Sequence, residues 1–180
     1  LDEAEVGMSA LARGTTVHKA LEIFWKQTQS HAALHALGEE ELKARIDLGV
    51  VEALGRWENN FLHELERKRL NRVLFEWLRL EKRREPFTVI VSEEKRTVEA
   101  GGLTLEVRVD RIDQLADGSL LILDYKTGEV AKDAWKGERM KEPQLPLYCA
   151  GASNGSEQLA GAAFACLRAG ELGFMGVAPL

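Results

Sequence analysis

Residues 107–128 read VRVDRIDQLADGSLLILDYKTG. Apolar positions recur in both halves, largely β-branched in the first, and a turn sequence, ADG, separates them, which predicts two antiparallel strands. The continuous apolar run LLIL in the second half indicates a strand that is buried on both faces. Side chains two residues apart share one face of a strand, so Asp124 and Lys126 project together. The segment therefore predicts a hairpin that delivers Asp110, Asp124 and Lys126 to the ends of its strands.

The register of this hairpin decides whether the two aspartates meet. A two-residue loop would pair Asp110 with Tyr125 and put the aspartates on opposite faces. A three-residue loop, with Gly118 left-handed in a bulge, pairs Asp110 with Asp124 directly. We predict the three-residue loop. This register also brings Lys126 opposite Arg108, and because the two cations repel each other we expect the strands to separate there.

Composition bounds the remaining possibilities. The chain has 180 residues, a formal charge of -5 and 45% hydrophobic residues, which is typical of one acidic soluble domain. A chain of this length buries about 70% of its unfolded surface, so we expect it to fold without disulfides, metal ions or partner chains. Two cysteines, Cys149 and Cys166, exclude a four-cysteine zinc or iron–sulfur site within the chain. The acidic start predicts no signal peptide, and no run is long enough for a membrane helix, so we expect a cytoplasmic location. The missing initial Met indicates a fragment of a longer protein.

Helical periodicity covers the first half of the chain. Apolar residues recur at helical spacing over 8–36, which predicts a first helix with Thr15 or Thr16 as its N-cap. A second helical region is predicted over 39–85, broken or bent near Gly55.

Strand patterns replace helical patterns after Pro86. The early strands predict an antiparallel meander, and a short helix is predicted from Pro143 or Pro146 to about Ala152. The predicted strands are Phe87–Ser92, Arg96–Glu99, Leu103–Leu115, Ser119–Tyr125, Ala160–Leu167 and Leu172–Val177.

The predicted pair of carboxylates indicates a metal site. Two adjacent carboxylates repel each other unless a cation lies between them, and hard oxygen ligands favour Mg²⁺ or Mn²⁺. An ammonium group beside such a metal suits phosphodiester hydrolysis. The alternative is a cross-strand ion-pair network of the aspartates with Arg108, Arg111 or Lys126.

Four motifs in order resemble the RecB-like nuclease branch of the PD-(D/E)xK superfamily, and the resemblance covers most of the chain. They are Gly14-x-x-x-His18, Asp110, Asp124-Tyr125-Lys126-Thr127 and Gln144-x-x-x-Tyr148. The resemblance implies an α/β fold, a restriction-endonuclease-like core with a central mixed β-sheet flanked by helices. It places a helical part at 1–85 and the sheet core at 86–180 of a single nuclease domain. It also implies a magnesium-dependent deoxyribonuclease, which we expect to be an exonuclease of DNA repair or recombination.

The resemblance also implies the role of each motif residue. The metal ligands would be His18, Asp110, Asp124 and the Tyr125 carbonyl, with Mn²⁺ as a substitute for Mg²⁺, and Lys126 would be the catalytic lysine.

Other parts of the resemblance leave alternatives open. Gln144 and Tyr148, four residues apart on one helix face, would line the site, but they equally suit capping and packing of a helix. His18 would otherwise be a boundary residue with a water or carboxylate partner, as we expect for His31, His35 and His63. The superfamily's proline is Val109 here, and the four cysteines of cluster-bearing relatives are missing, so no iron–sulfur cluster is expected.

Basic residues cluster between residues 64 and 85 and predict contacts with DNA phosphates. Interleaved glutamates favour a solvated helix with internal ion pairs equally well. No phosphate-binding loop of helicase motors occurs, so we expect a motor elsewhere in the parent protein or in a separate subunit. A non-catalytic DNA-binding or docking module is the main alternative function, and RNA is not excluded as substrate. The candidate nucleic-acid contacts are Arg67, Lys68, Arg72, Arg79 and Arg83.

Overall fold

The computed structural model describes residues 8–55, 61–100, 102–130, 145, 146, 149 and 158–177. Within these residues, helices precede a five-stranded sheet. The helices are α1 (Ala10–Thr28), α2 (His31–Ala36), α3 (Glu39–Leu54) and α4 (Phe61–Glu81). The strands are β1 (Phe87–Ala100), β2 (Leu103–Leu115), β3 (Leu120–Lys126), β4 (Leu159–Arg168) and β5 (Glu171–Val177).

The predicted first helix is two helices, and its predicted N-cap is wrong. Ser9 caps α1, because its side chain accepts a hydrogen bond from the backbone three residues on. Thr15 and Thr16 lie inside the helix, where each hydroxyl donates to the carbonyl four residues earlier. Gln29 has a φ of 58° and ends α1, and Ser30 then caps α2. These two residues therefore turn the chain where the apolar pattern alone continues.

The predicted break near Gly55 is confirmed. Gly55 has a φ of 66°, and its N–H donates to the carbonyl of Val51, which ends α3. The next helix, α4, ends at Glu81 rather than at residue 85. α3 packs against both α1 and α4. None of the helices in the described part of the chain combines the length and the hydrophobicity that crossing a bilayer requires.

The sheet is mixed, as the resemblance implied, with strands in the order β1-β2-β3-β4-β5. The pairs β1/β2, β2/β3 and β4/β5 are antiparallel, and β3/β4 is parallel. The first two predicted strands are one strand, β1, which continues through residues 93–95, where a gap was predicted. The register of its pairing with β2 shifts between Val89 and Val91, before the position of that predicted gap.

The three-residue loop between β2 and β3 is confirmed. Leu115 N–H donates to Ser119 O at 2.8 Å, which leaves residues 116–118 as the loop, and Gly118 has a φ of 85°. The strand pairs run from Gln114 opposite Leu120 to Arg111 opposite Leu123. Continued by one residue, this register places Asp110 beside Asp124.

Both faces of the sheet are covered by apolar packing. On one face Trp25, Trp77 and Leu78 of the helices join Phe87 and Tyr125 in one core. The opposite face is buried around Ile112, Ile122, Phe164 and the helical residue Leu145. Residues 120–123 of β3 are buried throughout, as their continuous apolar run predicted.

Replacing Gly118 by Ala is expected to destabilise the protein by about 1 kcal/mol, because a Cβ disfavours the left-handed backbone of the hairpin loop. Urea unfolding of both proteins measures the change. Gly128→Ala is the matched control, since an added Cβ at Gly128 meets nothing within 4 Å and no left-handed φ is needed there. Equal stability of Gly118→Ala and wild type would contradict the assigned loop geometry.

Candidate active site

Two acidic side chains lie at the point where β2 and β3 separate. Asp110 Oδ2 accepts a hydrogen bond of 2.7 Å from the backbone N–H of Tyr125. A side-chain oxygen thus binds the strand backbone immediately beyond the last backbone pair of β2 and β3. Asp110 and Asp124 are both buried, with 6% and 7% of their surface exposed. Counted from the hairpin loop, the strands therefore separate at the aspartates, two residues before Lys126, where the separation was predicted.

Helix α1 contributes His18 to the same place. Its Nε2 lies 2.9 Å from Tyr125 O, and its Nδ1 lies 3.3 Å from Asp110 Oδ1. Because a carbonyl oxygen only accepts, Nε2 is the protonated donor in this hydrogen bond. His18 therefore connects the carbonyl of one strand to the carboxylate of the other.

Gly14 allows α1 to approach the end of β3 closely. A Cβ added at Gly14 would lie 3.2 Å from the side-chain hydroxyl of Thr127, which follows β3. Gly14 precedes His18 by one helical turn, so both lie on the helix face that meets this strand end. The glycine of the Gly14-x-x-x-His18 motif thus leaves room for α1 to pack against the segment that follows β3.

Lys126 completes the group on β3. Its Nζ lies 2.9 Å from Asp124 Oδ2 and 5.4 Å from the centre of the Phe164 ring. As predicted, the two side chains two residues apart on the strand lie together. Lys126 keeps 23% of its side chain exposed, so its ammonium group is reachable from solvent.

The electrostatics of the site centre on Asp124. Burial raises the pKa of Asp124 to about 6, and the negative charge of Asp110 adds to the increase. The charges of Lys126 and His18 act in the opposite direction. The ionised pair of aspartates is therefore held at a free-energy cost that a further cation would relieve.

The chemistry of the donor set fits a divalent cation. Among the described residues, no group of three His, Cys, Asp or Glu side chains is arranged to hold a metal ion. The site nevertheless brings together two carboxylates, an imidazole and a main-chain carbonyl. Hard oxygen donors of this kind are the ligands that Mg²⁺ and Mn²⁺ prefer.

A buried ion cluster, which the sequence did not reveal, lies behind the site. It consists of Glu81, Arg84, Arg111 and Asp113, and Arg111 is fully buried. The alternative ion pairing of the site aspartates therefore holds for Lys126, which contacts Asp124, and not for Arg111, which points to the helix-covered face. Arg111 and Asp113 share one face of a buried strand, and this i, i+2 polar pair was the available sequence signal.

The remaining candidate residues have varied placements. Gln144 and Tyr148 lie outside the described residues, although their neighbours Leu145 and Pro146 are helical, in agreement with the predicted helix. His31 and His35 each place Nε2 within hydrogen-bond distance of the backbone carbonyl of Lys82, a partner that the sequence did not predict.

Helix α4 carries the predicted nucleic-acid contacts with mixed exposure. Arg67 forms two hydrogen bonds to Asp47, at 2.8 and 2.6 Å, and its pKa is raised by them. Lys68 lies 4.0 Å from Glu64. Of the five candidate residues, Arg67 is half-buried, whereas Lys68, Arg72, Arg79 and Arg83 are exposed.

Comparison with known proteins identifies one family. The family model of the PD-(D/E)XK nuclease superfamily matches residues 2–176, which include the site and nearly the whole chain. No curated protein sequence matches the chain significantly.

Asp124→Asn is expected to stabilise the metal-free protein near neutral pH. The folded pKa of Asp124 lies above its unfolded value of 3.8, so the native state binds more protons between these values. The wild type therefore loses this contribution as the pH rises from about 4 to about 6. Asn does not titrate, so the variant gains on the order of 2 kcal/mol relative to wild type over this range. Urea unfolding with chelator at both ends of the range measures the gain.

Asp117→Asn provides a control of opposite sign. Hydrogen bonds from Ser119 lower the pKa of Asp117, so the wild type keeps their stabilisation at neutral pH and loses it in acid. This variant should be the less stable protein near neutral pH and match wild type in acid. A gain for Asp124→Asn that does not change with pH would refute the assigned environment of Asp124.

Proposed function

The chain belongs to the PD-(D/E)XK nuclease superfamily, and on this premise we propose that it is a Mg²⁺-dependent deoxyribonuclease of the RecB-like branch. We further propose exonuclease action in DNA repair or recombination. One observation carries the proposal: His18 contacts both Asp110 and the Tyr125 carbonyl, and Asp110 accepts the Tyr125 N–H, beside the Asp124–Lys126 pair. These residues come from a helix and two strands, and they meet at one strand end.

Nucleases of this superfamily generally use divalent metals. In this chain the proposed ligands are His18, Asp110, Asp124 and the Tyr125 carbonyl, an oxygen-rich set that suits Mg²⁺ and accepts Mn²⁺. The bound ion would polarise the phosphate and acidify a water molecule. A metal ion at Nε2 would need that nitrogen unprotonated, with the ring proton on Nδ1, which faces Asp110 Oδ1.

Lys126 is proposed as the catalytic lysine. It is partly exposed at the strand end, while its ion pair with Asp124 fixes where the ammonium group lies. From there it can hold an attacking water or stabilise the negative charge that develops on the phosphate. Asp110, which bonds both His18 and the Tyr125 backbone, orients the ligands around it. Gln144 and Tyr148 are proposed to line the site from the helix that contains Leu145.

DNA is the proposed substrate, and the exposed cations of α4 are proposed to contact its phosphates. The chain's overall charge of -5 argues against indiscriminate binding, so any affinity must come from such local groups. We propose that a helicase motor, in the parent protein or in a separate subunit, supplies the DNA end in the cytoplasm.

Lys126→Ala is expected to reduce cleavage of DNA by at least about 100-fold, because the developing charge loses its stabilising cation. End-labelled single- and double-stranded DNA, incubated with Mg²⁺ or Mn²⁺ and the purified chain, reports both activity and substrate form. Lys43→Ala is the matched control, since Lys43 is an exposed lysine on α3 that pairs with Glu40.

The outcomes separate the candidate functions. Metal-dependent products that Lys43→Ala retains and Lys126→Ala loses would support the nuclease. Equal cleavage by both variants would eliminate Lys126 as the catalytic lysine. DNA binding without turnover by the wild type would favour a non-catalytic docking module.

The basic residues of α4 are tested by the salt dependence of binding. Replacing Arg72, Arg79 and Arg83 together by Gln should reduce the slope of log affinity against log salt by about 0.7 to 0.9 for each phosphate that the variant no longer neutralises. Binding is measured in chelator, so that no cleavage occurs. Arg45→Gln, which removes a cation that pairs with Glu41 on α3, should leave the slope unchanged. An unchanged slope in the triple variant would show that these residues form a solvated face.

A further inference from the structure

Arg111 is a fully buried cation that the proposed chemistry does not use. A guanidinium group has five N–H donors, and here all five have acceptors. Two bonds go to Asp113, at 2.6 and 2.7 Å, and two go to Glu81, at 2.7 and 3.2 Å. The fifth is 3.2 Å long and reaches Tyr125 Oη. The buried ion cluster therefore contacts the residue that supplies the main-chain carbonyl of the site.

Tyr125 is held at three atoms. Arg111 binds its Oη, Asp110 accepts its backbone N–H, and His18 Nε2 donates to its backbone carbonyl. Its side chain lies on the helix-covered face of the sheet, whereas its two neighbours in sequence, Asp124 and Lys126, project to the other side. A shift of Tyr125 along the strand would consequently move both of these neighbours as well.

The contact between Arg111 and Tyr125 crosses the strands diagonally. Arg111 lies opposite Leu123, so Tyr125 is the next residue along on the same face, a distance that long side chains span. Asp110 directly precedes Arg111 on β2, and Asp124 directly precedes Tyr125 on β3. On each strand the aspartate therefore faces the site, and the residue after it is held on the opposite face of the sheet.

Stability alone does not account for this arrangement. A buried ion cluster is often no more stabilising than an apolar replacement of equal volume, because desolvation of its charges offsets their attraction. The Tyr125 ring would also pack in the core without its hydroxyl. We propose that Arg111 is a positioning residue, which fixes the Tyr125 carbonyl through the Tyr125 hydroxyl and so raises the affinity of the site for divalent cations. This inference rests on the proposed function, because it assigns that carbonyl as a metal ligand.

The test compares Mn²⁺ binding by two variants of the purified chain. Tyr125→Phe removes only the hydroxyl, and it should weaken Mn²⁺ binding by about tenfold or more, the usual effect of losing a group that orients a ligand. Arg84→Lys is the matched control, since Arg84 donates to Glu81 and Asp113 and so perturbs the same cluster through its two acids. It should change Mn²⁺ affinity by less than about twofold. Calorimetry gives the affinity, and urea unfolding gives the stability of each protein.

Each outcome decides the inference. A selective loss of affinity in Tyr125→Phe, at a stability no lower than that of Arg84→Lys, supports it. Equal losses in both variants would indicate general loosening of the core and would overturn it. Wild-type affinity in Tyr125→Phe would overturn it too, and DNA cleavage by the wild type would then still stand. Absence of Mn²⁺ binding and cleavage in the wild type would overturn both this inference and the proposed function. Arg111→Lys, which keeps the charge but has a single donor nitrogen, should also weaken binding and serves if Tyr125→Phe does not fold.

Discussion

The register of the β2–β3 hairpin is the constraint from which the site follows. With residues 116–118 as the loop, each position of β2 faces a fixed position of β3, so Asp110 comes beside Asp124. The same alternation sends the next residues, Arg111 and Tyr125, to the other face of the sheet. A slip of one residue would separate both pairs at once. One glycine-containing turn therefore determines the chemistry on one face and the anchoring on the other.

The two faces handle charge in opposite ways. The buried ion cluster contains two arginines and two acids, and the arginines lower the pKa of Glu81 against the effect of burial. Its charges are therefore internally balanced. The site instead keeps two neighbouring carboxylates, and burial raises the pKa of Asp124. Lys126 and His18 offset only part of the cost of ionising Asp124 beside Asp110, and the proposed cation would relieve the remainder on binding.

Local signals in the sequence predicted most of the hairpin and the end of α3. Gly118 in the hairpin loop and Gly55 after α3 both have a positive φ, which side chains disfavour, and the continuous apolar run of β3 is buried on both faces. The predicted N-cap of α1 was wrong, since Thr15 and Thr16 donate their hydroxyls to carbonyls inside the helix, whereas Ser9 accepts from a backbone N–H of the first turn. The ion cluster escaped prediction for a different reason. Its acid Glu81 lies on a helix 30 residues away from Arg111, and only the tertiary fold brings the two together.

The geometry of the site also depends on how the helices pack against the sheet. His18 belongs to α1, whereas the atoms it contacts belong to β2 and β3, so its geometry is set by packing rather than by strand register. Gly14 permits the close approach at one end of the helix, and Arg13 ties the same end to Glu66 of α4 through two hydrogen bonds. Since the carboxylates are fixed by the sheet and the imidazole by the helices, the proposed affinity for a cation would depend on the fit between the two layers. A change that leaves each layer folded but alters their spacing would act on the site first.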